Sequence, residues 1–256
     1  MLRLQDRYAG DIGDYGKLGL LRALRSAGLS IGVNWYLTPN EKHNEDGKHT
    51  EYLEKGLYFD CDEALWNELH EIVETDKRNV SSLQDAGILD ASYYSSDLDF
   101  TGKTRSERNA FRDAWHKDAL TALAGVDVVF VDPDNGLLVP SAEGSRKENK
   151  FVKSEELWDN FFENHSSVVY YQHKARRTDP FYIDQYRKLL ESFELNPAVG
   201  FGLKFVTTSL RYYFFIIQPQ HRNIIKRTVG DMLAGPWRDH FLYYDPTQTD
   251  VFVRND

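Results

Sequence analysis

The stretch 126–138 reads Val-Asp-Val-Val-Phe-Val-Asp-Pro-Asp-Asn-Gly-Leu-Leu. Its apolar run 128–131 is typical of a strand buried on both faces of a sheet. In an open α/β sheet, ligands bind beyond the carboxyl ends of the strands, so Asp132, Asp134 and Asn135 stand where a catalytic site is expected. The same residues also make a good reverse turn, because proline fixes φ and Asn-Gly tolerates left-handed backbone. The stretch alone leaves both interpretations open.

The composition bounds what this chain can be. With 256 residues, 41% of them hydrophobic and 14% aromatic, it is long enough for a sizeable core, and we predict one α/β domain over residues 1–256. The net charge of −9 argues against tight, non-specific binding of nucleic acid, so any such contact needs a local basic patch. The single cysteine excludes an intramolecular disulfide and suits a reducing cytoplasm. We expect a soluble cytoplasmic protein, since no signal core or membrane span is evident.

A second group of polar residues lies in the glycine-rich segment 8–27. We predict a loop that contains three glycines, Asp11 and Asp14, followed by a helix on which leucines recur at helical spacing. Asp14 alone could simply complement the helix dipole. Its grouping with Asp11 and Lys17 beside glycines, which let a ligand approach the backbone closely, favours a binding site.

The rest of the chain alternates between strand and helix patterns. This order predicts an α/β fold with a methyltransferase-like Rossmann sheet, mostly parallel, closed by an antiparallel terminal edge strand and covered by helices on both faces. The predicted strands are 31–37, 92–98, 128–131, 168–172, 203–206 and 212–217, with a short strand pair in the tail, and the predicted helices are 62–74, 105–123, 155–164, one from residue 180, and 223–233.

Two further segments have unusual composition. The stretch 141–154 is rich in small and charged residues, which predicts a mobile loop beside the site. This loop could be a lid or a substrate-reading segment, and a solvated loop without a role fits its composition equally well. The predicted strand 168–172 runs directly into the most basic short run of the chain, which contains His173, Lys174, Arg176 and Arg177. A local basic run of this kind could neutralise phosphate even on an acidic protein.

Two of these segments resemble motifs of the ribosomal RNA adenine-N6 methyltransferase family. Asp11, Asp14 and Lys17 occupy the Asn, Asp and Lys positions of its Asn-x-x-Asp-x-x-Lys-His motif. A leucine, Leu18, stands at the position of the histidine. The Asp-Pro-Asp-Asn sequence at 132–135 resembles the Asp-Pro-Pro-Tyr signature that follows strand four in that family. The segment 202–217 is similar to the family's closing hairpin.

The resemblance implies transfer of a methyl group from S-adenosylmethionine to an exocyclic amino group of a nucleic-acid base. Asp132 and the backbone carbonyl of Pro133 would accept hydrogen bonds from that amino group and orient its lone pair. Asp134 and Asn135 complete the motif, and Asn135 stands where the family has an aromatic residue that stacks on the base. The basic run 173–177 would contact phosphate groups of the substrate.

The same resemblance implies where the cofactor would bind. Asp11, Asp14 and Lys17 would hold S-adenosylmethionine together with Thr38 and Asn40, which follow the first predicted strand. The family has an acidic, glycine-rich loop at that place, whereas this chain has Thr-Pro-Asn-Glu.

Two other functions remain open from the residues alone. Asp11, Asp14, Asp132 and Asp134 could supply oxygen ligands for Mg²⁺ or Mn²⁺ in a metal-dependent phosphodiester hydrolase. Alternatively, the departures from the cofactor loop and from the stacking aromatic fit a Rossmann-like binding protein without catalytic activity. The two catalytic hypotheses both require the N-terminal acids and the acids after the central strand to lie near one another.

Overall fold

A computed structural model of the protein describes residues 5–39, 49–207 and 210–254. Its strands are β1 Ile31–Asn34, β2 Ser92–Tyr94, β3 Val128–Val131, β4 Gly136–Leu137, β5 Phe151–Val152, β6 Ser167–His173, β7 Gly200–Phe205, β8 Arg211–Ile216 and β9 Phe241–Tyr244. Seven of these strands form one sheet in the order β2-β1-β3-β6-β8-β7-β9, and the two short strands β4 and β5 pair separately.

The sheet confirms the predicted α/β class. The strands β2, β1, β3 and β6 are mutually parallel, and β8 is antiparallel to both of its neighbours, β6 and β7. The strand β9 pairs antiparallel with β7 and forms the terminal edge. The hairpin β7–β8 lies inside the sheet rather than at its edge, because the tail adds one more strand beyond it.

Helices cover both faces of the sheet, as predicted. Successive residues of a strand point to opposite faces, so that Phe130 packs into one core and Val129 into the other. The helices are α1 Ile12–Ser26, α2 Glu51–Glu54, α3 Glu63–Glu74, α4 Val80–Asp85, α5 Arg105–Ala122, α6 Ser154–Phe162, α7 Asp179–Ser192 and α8 Arg222–Ala234. The first core takes residues from α1, α2, α3, α4 and α8, and the second from α5, α6 and α7.

The glycine-rich segment 8–27 corrects one prediction. Instead of a glycine loop before the helix, the helix α1 begins at Ile12 and already contains the glycines at 13, 16 and 19. Their spacing places them on one face of α1, where an added Cβ would overlap the side chains of Arg211, Phe205 and Trp237, respectively. These glycines therefore allow α1 to pack closely against its neighbours, rather than leaving the backbone open to a ligand.

Other segments also differ from the sequence prediction. The strand β1 ends at Asn34 rather than at residue 37, and Tyr36 has the left-handed φ of 46°. The strand β2 contains only three of the seven predicted residues. The segment 141–154, predicted as a mobile loop, contains a 3-10 helix at Arg146–Lys150 and the strand β5. No helix among the described residues combines the length and apolarity needed to cross a bilayer.

Candidate functional site

Lys17 joins the two groups of acidic residues that the sequence singled out. Its ammonium lies 2.7 Å from Asp14 Oδ1 within α1 and 2.7 Å from Asp132 Oδ2 at the carboxyl end of β3. All three residues are buried, with exposed fractions of 5 to 8%. The N-terminal acids and the acids of the central strand thus meet at one edge of the sheet.

The first turn of α1 is held together by its own carboxylates. Asp11 caps the helix, and its Oδ1 accepts hydrogen bonds from the backbone N–H groups of residue 13 and of Asp14. Asp14 Oδ2 accepts from the backbone of Gly10, and the N–H of Ile12 donates to the carbonyl of His49. The N–H groups at this helix end therefore already have partners within the protein.

Arg211 completes the buried charge network. The guanidinium of this first residue of β8 donates to Asp11 Oδ2 at 3.1 Å, although the two residues are 200 positions apart. Tyr171, near the end of β6, lies beside Arg211 and shares a hydrogen bond with His173 Nδ1 at 3.2 Å. Neither Arg211 nor Tyr171 was predicted from the sequence, although a single arginine at the start of the aromatic run 212–215 is a usable signal, since a buried charge needs a partner.

Burial and the neighbouring charges have opposite effects on the pKa values of the cluster. Burial raises the pKa of Asp14 to about 6, although Lys17 counteracts part of the effect. Burial also raises the pKa of Asp132, again against the attraction of Lys17. The two carboxylates outweigh burial at Lys17 and raise its pKa, so the lysine stays charged. The cluster contains three carboxylates, Asp11 included, against the cations of Lys17 and Arg211.

One acceptor in this cluster has no hydrogen bond from the described residues. Both oxygens of Asp11 and both of Asp14 have partners, whereas the described residues provide a partner for Asp132 only at Oδ2, which accepts a hydrogen bond from Lys17. Across residues 5–39, 49–207 and 210–254, nothing donates a hydrogen bond to Asp132 Oδ1 or to the backbone carbonyl of Pro133. Asp132 Oδ1 and the carbonyl of Pro133 are therefore two consecutive acceptors at the carboxyl end of β3 that the described residues leave without a donor.

The next residues of the Asp-Pro-Asp-Asn motif have other contacts. Asp134 Oδ2 lies 3.9 Å from Lys150 Nζ, and the backbone of Asn135 donates to the carbonyl of the same lysine. Gln172 donates to the carbonyl of Asn135 and accepts from the N–H of Leu137, so it fixes the loop after β3. Asp134 and Asn135 are both partly exposed. The role of Gln172 in positioning this loop was not predicted from the sequence.

Aromatic side chains follow β1 where the family resemblance implied a cofactor loop. Trp35 is buried, and the Lys17 ammonium lies 4.5 Å from the centre of its ring. Thr38 is also buried, and Asn40 lies outside the described residues. Asn34 Oδ1 and Trp35 Nε1 are buried polar atoms that have no hydrogen-bond partner in the described part of the chain. The end of β1 therefore offers unpaired polar atoms, although the described part of its loop contains no glycine.

The basic run lies at the same edge of the sheet, because β6 is parallel to β3. His173 and Lys174 are partly exposed, whereas Arg176 and Arg177 are exposed, and the guanidinium of Arg177 lies 5.2 Å from the ring centre of Phe181. The four residues predicted to contact phosphate therefore extend from the charge network towards solvent.

A cation of the protein itself occupies the place that the metal-binding alternative needs. The ammonium of Lys17 lies between the carboxylates of Asp14 and Asp132, where a divalent cation would have to bind. In the part of the chain that the structure describes, no group of three or more His, Cys, Asp or Glu side chains is arranged to hold a metal ion.

A second buried ion pair stabilises the other face of the sheet. Arg112, which is 1% exposed, forms a bidentate pair with Glu156, and its guanidinium also donates to two carbonyls of the segment 141–154. The hydroxyl of Tyr36 donates to Glu156 Oε2 at 2.8 Å. Arg112 holds the pKa of Glu156 low, at about 2, despite burial. This network attaches the segment 141–154 to α5 and to the loop after β1.

The fold and the charge network define a Rossmann-like α/β protein with a polar site at the carboxyl edge of its sheet. Comparison of the chain with models of known families, with curated proteins and with solved structures gave no match.

Proposed function

We propose that this protein transfers a methyl group from S-adenosylmethionine to an exocyclic amino group of a nucleic-acid base. The observation that carries the proposal is the pair of unused acceptors at the end of β3, Asp132 Oδ1 and the carbonyl of Pro133. Two adjacent acceptors suit an amino group, which has two N–H bonds to donate. When the two acceptors take hydrogen bonds from both N–H groups, the lone pair of the nitrogen points away from the strand and towards a methyl donor.

Asp132 would act as both acceptor and base. Lys17 holds Oδ2 in place, so Oδ1 keeps a fixed direction, and the positive charge favours the ionised carboxylate that must accept the hydrogen bond. Burial raises the pKa of Asp132, which makes this carboxylate a better acceptor for the proton that the nitrogen loses.

The cofactor would supply an electrophilic methyl group on a sulfonium sulfur when it is bound. The unpaired polar atoms of Asn34 and Trp35 are suitable contacts for it, because they lie at the end of the strand next to β3. Thr38 and Asn40 follow this strand end in sequence and belong to the proposed cofactor side. Asp11 and Asp14 would support this side indirectly, since their carboxylates order the first turn of α1 and hold Lys17 and Arg211.

The basic run would bind the substrate backbone. Arg176 and Arg177 are exposed beyond the end of β6, at the same edge as Asp132. Contacts with phosphate position a nucleic acid without reading its sequence, which leaves selection of the base to the acceptors at the end of β3.

Incorporation of a labelled methyl group tests this function. The protein is incubated with tritium-labelled S-adenosylmethionine and with single-stranded or duplex DNA or RNA of mixed sequence, and the nucleosides are separated after digestion. We expect label on an amino-methylated nucleoside. A folded protein that neither binds S-adenosylmethionine in calorimetry nor incorporates label would contradict the proposal and leave the non-catalytic binding alternative.

A further inference from the structure

The carboxyl end of β1 contains a buried amide oxygen that has no hydrogen-bond partner among the described residues. Asn34 is the last residue of this strand and is 2% exposed, and its Oδ1 accepts no hydrogen bond from residues 5–39, 49–207 or 210–254. Its neighbour Trp35 is 1% exposed and has an indole N–H without an acceptor there. Buried polar atoms normally have partners, and leaving one unpaired lowers stability, so two consecutive exceptions at one strand end require an explanation.

Asn34 lies at the same end of the sheet as the proposed reaction centre, on the strand next to β3. The backbone N–H of Asp132 donates to the carbonyl of Asn34 at 2.9 Å, and Asn34 pairs in register with Val131. The paired side chains of Asn34 and Val131 share the face covered by α5, α6 and α7, whereas Asp132 points to Lys17 on α1. A ligand would therefore contact both the Asn34 amide and the acceptors of the Asp132 loop only by lying across the carboxyl edge of the sheet. The carboxyl ends of adjacent parallel strands are where ligands bind in such sheets.

We infer that Asn34 recognises the adenine ring of a ligand. A carboxamide presents one acceptor and N–H donors in a single plane, and an adenine edge presents an amino donor next to a ring-nitrogen acceptor, so that asparagine can form two hydrogen bonds with it. The inference rests on the proposed function only for the source of the ring, which is either S-adenosylmethionine or an adenine base of the substrate.

The stability of an Asn34 variant separates recognition from a structural role. Asn34→Leu keeps a similar volume and removes an amide whose Oδ1 makes no hydrogen bond, so we expect the melting temperature to stay constant or rise. Asn149→Leu is the matched control, because Asn149 is also buried but donates to the carbonyl of Leu98 at 2.8 Å. This control should melt at a lower temperature. An equal drop in both variants would overturn the inference.

Binding of adenosine, guanosine and S-adenosylmethionine, each measured by calorimetry, completes the test. We expect the wild type to bind adenosine, to discriminate against guanosine, and to bind adenosine about tenfold or more tightly than Asn34→Leu does, as expected for one or two hydrogen bonds. Equal adenosine affinity of the wild type and the variant, or no adenosine binding by either, would overturn the inference. Adenosine binding that depends on Asn34, without any binding of S-adenosylmethionine, would support Asn34 and contradict the proposed methyl donor.

Discussion

The Lys17 ammonium is 2.7 Å from the Asp132 carboxylate, although the two residues are 115 positions apart in the chain. The contact forms because α1 packs on one face of the sheet with its first turns over the carboxyl end of β3. It connects a helix that precedes the first strand to the loop after the central strand. The resulting network has a formal excess of one carboxylate, since Asp11, Asp14 and Asp132 face only Lys17 and Arg211 among the described residues.

Replacing Lys17 with methionine should strongly destabilise the protein. The variant leaves two buried carboxylates without their shared cation, a change that typically lowers the free energy of unfolding by about 3–5 kcal/mol. This decrease in the free energy of unfolding should be smaller at pH 5, where protonation of the two carboxylates removes part of the uncompensated charge. Urea unfolding at pH 8 and pH 5 measures both effects. Lys188→Met is the control, because it removes an exposed ion pair with Asp184 and should leave the unfolding curve unchanged. An equal decrease in the free energy of unfolding in the two variants would refute a special role for Lys17.

Asp14→Asn should stabilise the protein above pH 6. The pKa of Asp14 is raised to about 6 in the folded protein, so the folded state binds this proton more tightly than the unfolded chain does. The resulting contribution to the free energy of unfolding is fully present below the pKa that Asp14 has in the unfolded chain, and it is lost as the pH rises through 6. A shift of this size corresponds to about 3 kcal/mol at most. We therefore expect Asp14→Asn to gain about 1–3 kcal/mol at pH 8 and to show a flatter pH dependence between pH 4 and pH 7. Asp113→Asn on the exposed face of α5 is the control, and a pH dependence identical to that of the wild type in Asp14→Asn would contradict the assignment.

Gly16→Ala and Gly230→Ala should have opposite effects on stability. Both glycines lie inside helices, where alanine is normally favoured by about 1 kcal/mol. A Cβ at Gly16 would overlap the ring of Phe205, which is fully buried, whereas a Cβ at Gly230 meets open space. Thermal unfolding should therefore show a lower melting temperature for Gly16→Ala and a higher one for Gly230→Ala. Stabilisation by both substitutions would show that α1 does not need its glycines for packing.

The salt dependence of nucleic-acid binding tests the basic run. Replacing Arg176 and Arg177 together with alanine should weaken binding to duplex DNA. It should also reduce the slope of log affinity against log salt by about 0.9 for each phosphate that the variant no longer neutralises. The control is the pair Arg25→Ala and Arg254→Ala, which changes the net charge equally but removes arginines that pair with Asp90 and Asp239. A slope that changes by the same amount in both double variants would place the phosphate-binding residues elsewhere.

The sequence predicts the sheet well because strand and helix periodicities are local. The apolar run 128–131 became β3 without change, and the helix predicted at 62–74 differs from α3 only in that Asp62 is its N-cap. The predicted beginning of α1 was wrong because glycine in a helix is normally unfavourable, and only the neighbours Phe205 and Trp237 explain why it is needed here.

The site was predictable only in part. Asp14, Lys17 and Asp132 were identified from local motifs, and their ion pairs bring them together. Arg211 was missed because its partner Asp11 is 200 positions away, a relation set by the order of the strands in the sheet and not by local sequence. The unpaired amide oxygen of Asn34 could not be predicted at all, since the absence of a hydrogen bond is a property of the folded chain.

The rate of methyl transfer by Asp132→Asn tests the central claim most directly. Asp127→Asn is the matched control, because Asp127 lies just before the opposite end of the same strand and bonds to Ser30. With labelled S-adenosylmethionine and nucleic acid, we expect Asp132→Asn to be slower by a factor of about 10²–10⁴, the usual contribution of a positioned base, while it still binds the donor. Asp127→Asn should keep its rate. Full activity in Asp132→Asn, with the protein folded, would contradict the assignment of Asp132 as the residue that orients the amino group.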